Sequence, residues 1–506
     1  MNVVLISIDS LNRHFLKIYG QPIEIDVKTP NMDVLAGRGT VFDTHFAGSL
    51  PCMPARREFL AGVQEFLWRP WGPIEPFDRP LARLARGAGI VTQLVTDHFH
   101  FFQHGSQGYY SDYQGFDFIR GQEHDAWKTA PRSPDPTFLR QLNFDSAQPS
   151  TDYMNPLSYA RNTFGFKDEE QFFAPRVFQS AARWIDDNHD QESFFLVIDS
   201  FDVHEPFHNP DAYARMYTDE DVNDPEMILW PVYGNVYESG PARLSPRQVA
   251  FVRAQFAGKM TMVDRWLGRF LERLDHYGLW DNTAVILTSD HGHYLGEKGA
   301  MGKPDCHVYN VLAKTPLIIW HPQAATNSRR VKALTSAVDL YATVLDLLEL
   351  DVDPGPHSHS LVPLLTEAGE RVRDWALYGY YGRAVNITDG RYTYHRAPDW
   401  ERPLYLYSTA FMNPLDWFHP VRLPDPDTVV SGRFLPYTPT PVWRYPVRFD
   451  PWYRESLLFD TQADPWQNTD LSGLAPDRLR SMEAFLKEAL AALSAPDELY
   501  ARLELA

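Results

Sequence analysis

Three continuous apolar runs mark the first two-thirds of the chain: Val3 to Ile8, Phe194 to Ile198, and Ala284 to Thr288. Runs of this length without polar alternation predict strands covered on both faces, as in a parallel sheet. Each delivers polar groups at its carboxyl end: Asp9-Ser10, then Asp199 followed by His204-Glu205-Pro206-Phe207, then Ser289-Asp290-His291-Gly292. In open α/β sheets that edge is where ligands bind, so the three runs predict one shared site. Apolar residues three or four apart, from Val252 through Phe256, Met260, Val263, Leu267 and Phe270 to Leu274, predict a helix over about Arg247 to Tyr277, stopped by Gly278. A second helix is expected over Ser336 to Leu348. The alternation predicts a doubly wound α/β domain with a mostly parallel sheet over residues 1–365.

The pattern changes after that. Short apolar-aromatic runs at Trp375 to Tyr381, Arg391 to His395 and Glu455 to Asp460 predict strands, and about Asp477 to Leu493 predicts an amphipathic helix. Residues 366–506 are thus expected to form a smaller α+β unit, an antiparallel sheet with one covering helix. Within it, residues 401–451 hold ten of the 40 prolines, which argues against regular helix or a central strand there. That excursion reads as an ordered aromatic surface segment, with a lid or a subunit contact in a homo-oligomer as its functional alternatives.

Composition narrows the function. Among 506 residues, 47 Lys+Arg against 66 Asp+Glu leave a net charge of −19, the wrong sign for binding nucleic acid or an anionic membrane. Two cysteines, Cys52 and Cys306, exclude a disulfide scaffold and a cysteine-rich zinc module. No window approaches the roughly 18 uncharged apolar residues of a membrane span, and Met1-Asn2 leads directly into the first strand without a basic start. A cytoplasmic protein is expected.

Cys52-Met53-Pro54-Ala55-Arg56 carries the most chemistry. Proline two residues after the cysteine and Gly62 further on fit a helix starting near Pro54, with Cys52 at its positive end, where thiolate, phosphate or sulfate is stabilised. Cys-x-Pro-x-Arg resembles the motif at which sulfatases have their cysteine oxidised to Cα-formylglycine. The wider chain resembles type I sulfatases of the alkaline phosphatase superfamily, near the arylsulfatase and phosphonate monoester hydrolase branch. Asp9-Ser10-Leu11-Asn12-Arg13 resembles the first metal-binding loop, and Thr29-Pro30-Asn31-Met32-Asp33 with Leu35-Ala36 a segment that follows it. Thr288 to Gly292 with Gly296-Glu297, Gly299 and Lys303 resembles the second metal-binding loop. Val338-Asp339-Leu340 through Leu361 to Leu365, and Leu458-Phe459-Asp460 with Asp464-Pro465 and Asn468, resemble the family's closing segments in the same order.

The resemblance implies an alkaline phosphatase-like fold and hydrolysis of small-molecule sulfate esters. It also implies one divalent metal, calcium or manganese, held by Asp9, Cys52, Asp290 and His291, and a formylglycine-generating enzyme as maturation partner. In the family chemistry a hydroxyl of the hydrated aldehyde attacks sulfur, and the second hydroxyl is deprotonated to expel sulfate. Arg56 is expected to hold the hydrate or an ester oxygen, while His204 and Lys303 contact the ester and assist the leaving group. Three departures matter. Ser10 stands where the family commonly has a second aspartate, and His291 where it commonly has asparagine. Thr96-Asp97-His98-Phe99-His100 replaces a lysine-bearing segment, so either His98 or His100 takes the missing role or the leaving-group side differs. His307 is a weaker further candidate, and Cys306 reads as inert. The alternatives are a phosphonate monoester hydrolase or phosphodiesterase with the same nucleophile, and a non-catalytic binding protein on the same fold.

Overall fold

A computed structural model of the chain describes residues 1–20, 23–103, 105–128, 132, 134–144, 156–304, 306–324, 329–366, 369–411 and 423–505. Its centre is an eight-stranded sheet. The strands lie in the order Arg329–Ser336, Thr40–Phe46, Leu317–Trp320, Thr283–Thr288, Asn2–Ile8, Phe194–Ser200, Val91–Thr96 and Gly115–Phe118. Leu317–Trp320 runs antiparallel to both neighbours, and the remaining pairs are parallel. The three strands predicted from continuous apolar runs are adjacent and buried at every residue. Each fully buried Val, Leu or Ile contributes about 1.5–3 kcal/mol, which is why these runs take the centre.

Register then sets the site. Ser7 pairs with Asp199 on one side and Thr288 on the other, and Thr96 pairs with Asp199. Asp9, Asp199, Asp290 and Asp97-His98 therefore leave or end their strands along one edge. One face of the sheet is covered by the helices Phe173–Asn188 and Pro246–His276, whose Phe178, Ile185, Phe256, Met260, Val263 and Leu267 join Val4, Ile6 and Ile198 in one core. The long helix starts on a reciprocal cap in which Gln248 N–H donates to Ser245 Oγ. The opposite face carries Cys52–Ala61, Leu81–Gly87 and Asp339–Leu347 over Val3, Leu5, Val197 and Ile286.

The helix expected from Ser336 begins only at Asp339, because Ser336 is the last residue of an edge strand. Asp339 Oδ2 accepts the Ser336 N–H at 2.8 Å, and that local bond turns the chain out of the strand. The helix expected from Pro54 begins at Cys52 itself and ends at Gly62, whose φ of 77° is a left-handed cap.

A second sheet of five strands orders Leu457–Asp460, Tyr392–Arg396, Val385–Thr388, Ala376–Tyr380 and Ser49–Leu50. The last pair comes from just before Cys52 and runs parallel to Gly379 and Tyr380, so the smaller sheet grips the segment that enters the Cys52 helix. The helix Pro476–Ala492 covers this sheet with Met482, Leu486 and Leu490.

The proline-rich excursion differs from expectation. Its residues 412–422 lie outside those described, but the rest contains a three-stranded antiparallel sheet with Val442–Val447 in the middle. Pro446 sits in that central strand opposite Tyr405. It is tolerated because the third strand, Val430–Gly432, reaches only Val442 to Arg444, so Pro446 is at an open edge on that side. No helix among the described residues is long and apolar enough to cross a membrane.

Candidate active site

Asp9, Asp199 and Asp290 are buried together around one guanidinium. Arg56 Nε lies 2.8 Å from Asp199 Oδ2 and Nη2 3.0 Å from Asp199 Oδ1, a bidentate pair. Arg56 Nη1 lies 2.6 Å from Asp290 Oδ2, and Nη2 lies 3.0 Å from Asp9 Oδ2. Arg56 Nη1 also donates to the Cys52 carbonyl at 3.2 Å, one helical turn back. Its donors are thus committed to carboxylates and to the helix start. It does not line the cavity beside Cys52, where an ester oxygen is expected. Desolvation opposes its charge, but Asp199, Asp290 and Asp9 hold its pKa above the ordinary arginine range.

Ser10 joins the two loops. Its backbone is left-handed, φ 61°, and its N–H donates to Asp290 Oδ1 at 3.1 Å while its hydroxyl donates to Asp9 Oδ1 at 2.7 Å. Asp290 Oδ1 accepts the His291 N–H as well, at 2.9 Å. A serine therefore replaces the second carboxylate with a hydrogen bond that aims the first. Gly292 is required for the same packing, since a Cβ there would lie 1.9 Å from the Val311 carbonyl oxygen.

Four groups could hold a metal ion: Asp9, Cys52, Asp290 and His291 place their ligand atoms within 4.8 Å of one another. The residues fit a divalent cation on charge. Three buried carboxylates share a single arginine, which leaves negative charge in excess beside Cys52 and His291. Burial pushes the pKa of His291 down, and its Nδ1 lies 2.8 Å from the Gly292 carbonyl oxygen. The neutral ring then carries its proton on Nδ1 and turns the Nε2 lone pair toward Cys52 Sγ, 3.2 Å away. Desolvation opposes the charge of Asp9, yet Arg56 and His98 hold its pKa well below the ordinary value. Asp290 is shifted up, by burial first and then by Asp9.

Cys52 differs from the expectation of a stabilised thiolate. Burial, then Asp9, drives the thiol pKa well up despite the helix start and Lys303. A cysteine so placed is a poor nucleophile as a thiol. Lys303 Nζ lies 3.5 Å from Cys52 Sγ and 2.7 Å from His204 Nε2. These three residues line one cavity of about 470 Å³ with Trp71, His100, Glu123, His124, Glu205, Trp230 and Tyr233. Gly302, at φ 76°, lets the Tyr233 ring pack against the backbone just before Lys303, where a Cβ would collide with it.

The two histidines of the divergent segment separate. His98 is buried with Nε2 3.3 Å from Asp9 Oδ2 and its ring stacked on Phe101, beside the carboxylate cluster. His100 lines the cavity, with Nε2 3.0 Å from Glu123 Oε2. Asp97 accepts the Phe201 N–H at 2.7 Å and is no substitute for a lysine. His307 is outside this group, stacked on Tyr453 at 3.9 Å, and Cys306 Sγ lies 3.4 Å from the His307 carbonyl oxygen. Asp199, Glu123, Glu205, Trp71, Trp230 and Tyr233 were not among the sequence candidates. Asp199 and Glu205 alone carried a signal, among the polar groups that follow one buried run. A larger groove of about 1180 Å³, lined by Arg215, Tyr237, Arg253, Lys298 and Trp466, contains none of these groups.

The family model described as Sulfatase matches residues 1–350. The chain is 25% identical over 437 residues to the multifunctional alkaline phosphatase superfamily protein PehA of Trinickia caryophylli, covering 75% of this chain and 79% of that one. It is 22% identical to an arylsulfatase of Clostridium perfringens, covering 74% and 80%. Its fold superposes on the crystal structure of a phosphonate monoester hydrolase from Agrobacterium radiobacter with a TM-score of 0.63 at 20% identity, over 97% and 95% of the two chains. With more than two-thirds of its length matched in family order and the fold shared across the whole chain, this protein belongs to the sulfatase family.

Proposed function

We propose that the protein hydrolyses sulfate esters of small alcohols, with Cys52 converted to Cα-formylglycine and a divalent ion held by Asp9, Asp290, His291 and residue 52. The observation that carries this is the position of Cys52. It is the first residue of a buried helix, 3.2 Å from His291 and 3.5 Å from Lys303, with its thiol pKa driven up. That environment disfavours thiolate chemistry and suits a neutral precursor of another nucleophile. When bound, the ion would screen oxyanion charge and lower the pKa of a nucleophilic hydroxyl. The aldehyde hydrate would supply that hydroxyl and the second one that releases sulfate.

The chain's own residues do the rest. Arg56 holds Asp9, Asp199 and Asp290 in one array, so the carboxylates are ordered before substrate arrives. Lys303 places a cation on the ester side of residue 52, and His204 accepts a hydrogen bond from it. A lysine kept charged and a histidine kept neutral beside the same ester bond can hold a proton at Nζ for the departing oxygen.

Phosphonate monoester or phosphodiester hydrolysis is the second reading, favoured by His291 at the position where sulfatases commonly carry asparagine. Matched aryl sulfate and aryl phosphonate monoesters separate the two. A higher kcat/KM for the sulfate ester, lost in Cys52→Ala, supports the first reading, and a higher value for the phosphonate supports the second.

A further inference from the structure

Glu123 stands out in the cavity beside Cys52. It is a non-glycine residue in left-handed backbone conformation, φ 45°, and only 7% exposed. A carboxylate forced into that conformation and buried carries a double cost, of the kind kept where it serves a site. Desolvation opposes its charge, yet His100 and His124 hold its pKa down at about 2, so it is an anion. Its Oε2 lies 3.0 Å from His100 Nε2, and its Oε1 lies 3.7 Å from His124 Nε2. Burial pushes the His124 pKa down, and Glu123 opposes that shift.

Each histidine in turn leans on a tryptophan. The Trp71 and His100 rings meet edge to face at 4.9 Å, and the His124 and Trp230 rings lie 5.0 Å apart, tilted by 31°. An anion is thereby set between two ring pairs, and all five residues line the same cavity as Lys303. Rings around one carboxylate suit an organic cation, which gains from the ring faces and from the charge together. The overall charge of −19 points the same way. It repels a simple sulfate monoester, whereas an ester whose alcohol carries a cation is neutral as a whole and meets no such barrier.

We propose that the leaving-group side of this cavity is built for an alkylammonium alcohol, so that the preferred substrate is a zwitterionic sulfate ester read by Glu123, Trp71 and Trp230. The substrate class rests on the sulfatase reading above; the cation subsite itself does not.

The test is calorimetric binding to the matured, metal-loaded full-length protein, with no turnover needed. The probes are choline and its uncharged isostere 3,3-dimethylbutanol. Choline is expected to bind at least about 10-fold more tightly, and Glu123→Gln to remove about 10-fold of that preference. Trp230→Leu should weaken choline while sparing metal content and Tm, which guards against a misfolded Glu123 variant. Equal binding of the two alcohols, no binding of either, or a preference that survives in Glu123→Gln overturns the subsite. Hydrolysis is scored separately. A protein that binds choline but cleaves only phosphonate esters refutes the sulfatase reading and leaves the subsite standing.

Discussion

Lys303 Nζ stands 2.7 Å from His204 Nε2, and their environments push the two groups in opposite directions. Desolvation opposes the charge of Lys303, but Cys52, Asp9 and Glu205 hold its pKa well above the usual lysine value. Burial, then Lys303, drives His204 well below the usual histidine value. The shared proton therefore sits on lysine, and His204 carries its own on Nδ1, facing the Glu205 carbonyl oxygen at 2.9 Å.

That arrangement ranks the two residues. Lys303→Ala should steepen the dependence of kcat/KM on leaving-group pKa, costing roughly 10²–10⁴-fold for alkyl esters and little for good leaving groups. His204→Ala should show a smaller slope change, because lysine keeps the proton without it. A kinetic series over alcohols of graded pKa checks both, and a uniform loss across the series would make Lys303 a binding group alone.

Metal dependence follows from the carboxylate array. Asp9→Asn or Asp290→Asn each removes one charge from the set around Arg56 and should lose the bound ion and most activity. Elemental analysis of purified variants reads the ion directly. Wild-type protein free of divalent metal and unaffected by chelator would refute the assignment.

Arg56 predicts a stability effect distinct from its effect on rate. Arg56→Met leaves three buried carboxylates without their partner and should cost about 3–5 kcal/mol in the metal-free protein. Added divalent ion should recover part of that, since it replaces some of the lost positive charge. Denaturant midpoints with and without ion measure both.

Glu58 gives a pH signature. Burial raises its pKa to about 8 while Ser49 hydrogen bonds work against the shift. The folded state then holds a proton that the unfolded chain releases above about 4.3. Stability from this group is full below the unfolded value and falls as pH rises toward 8, by on the order of 1 kcal/mol per unit at the steepest. Glu58→Gln should flatten the unfolding free energy across that window, and an unchanged slope would contradict the shift.

The sequence made the strand-borne part of this site legible and hid the rest, for a physical reason. Asp9, Asp290 and Cys52 follow a buried strand or begin a helix, so local pattern places them. Asp199 is the sixth residue of the strand Phe194–Ser200, and only its bidentate pairing with Arg56, 143 positions away, reveals its part. Glu123, Trp71 and the pair Trp230 and Tyr233 come from three separate loops with no periodicity, and only the fold brings them to one cavity. The same limit explains the proline-rich sheet. Proline excludes a strand only where both edges are paired, and the sequence does not show that Val430–Gly432 stops short of Pro446.

The nucleophile can be tested most directly by plotting sulfate release against the fraction of Cys52 peptide that is lighter by about 18 Da, the mass lost when thiol becomes aldehyde. Protein prepared with graded amounts of formylglycine-generating enzyme supplies the range. Activity should rise in proportion to the modified fraction and pass through zero with none. Full turnover by protein whose Cys52 is entirely unmodified would contradict it.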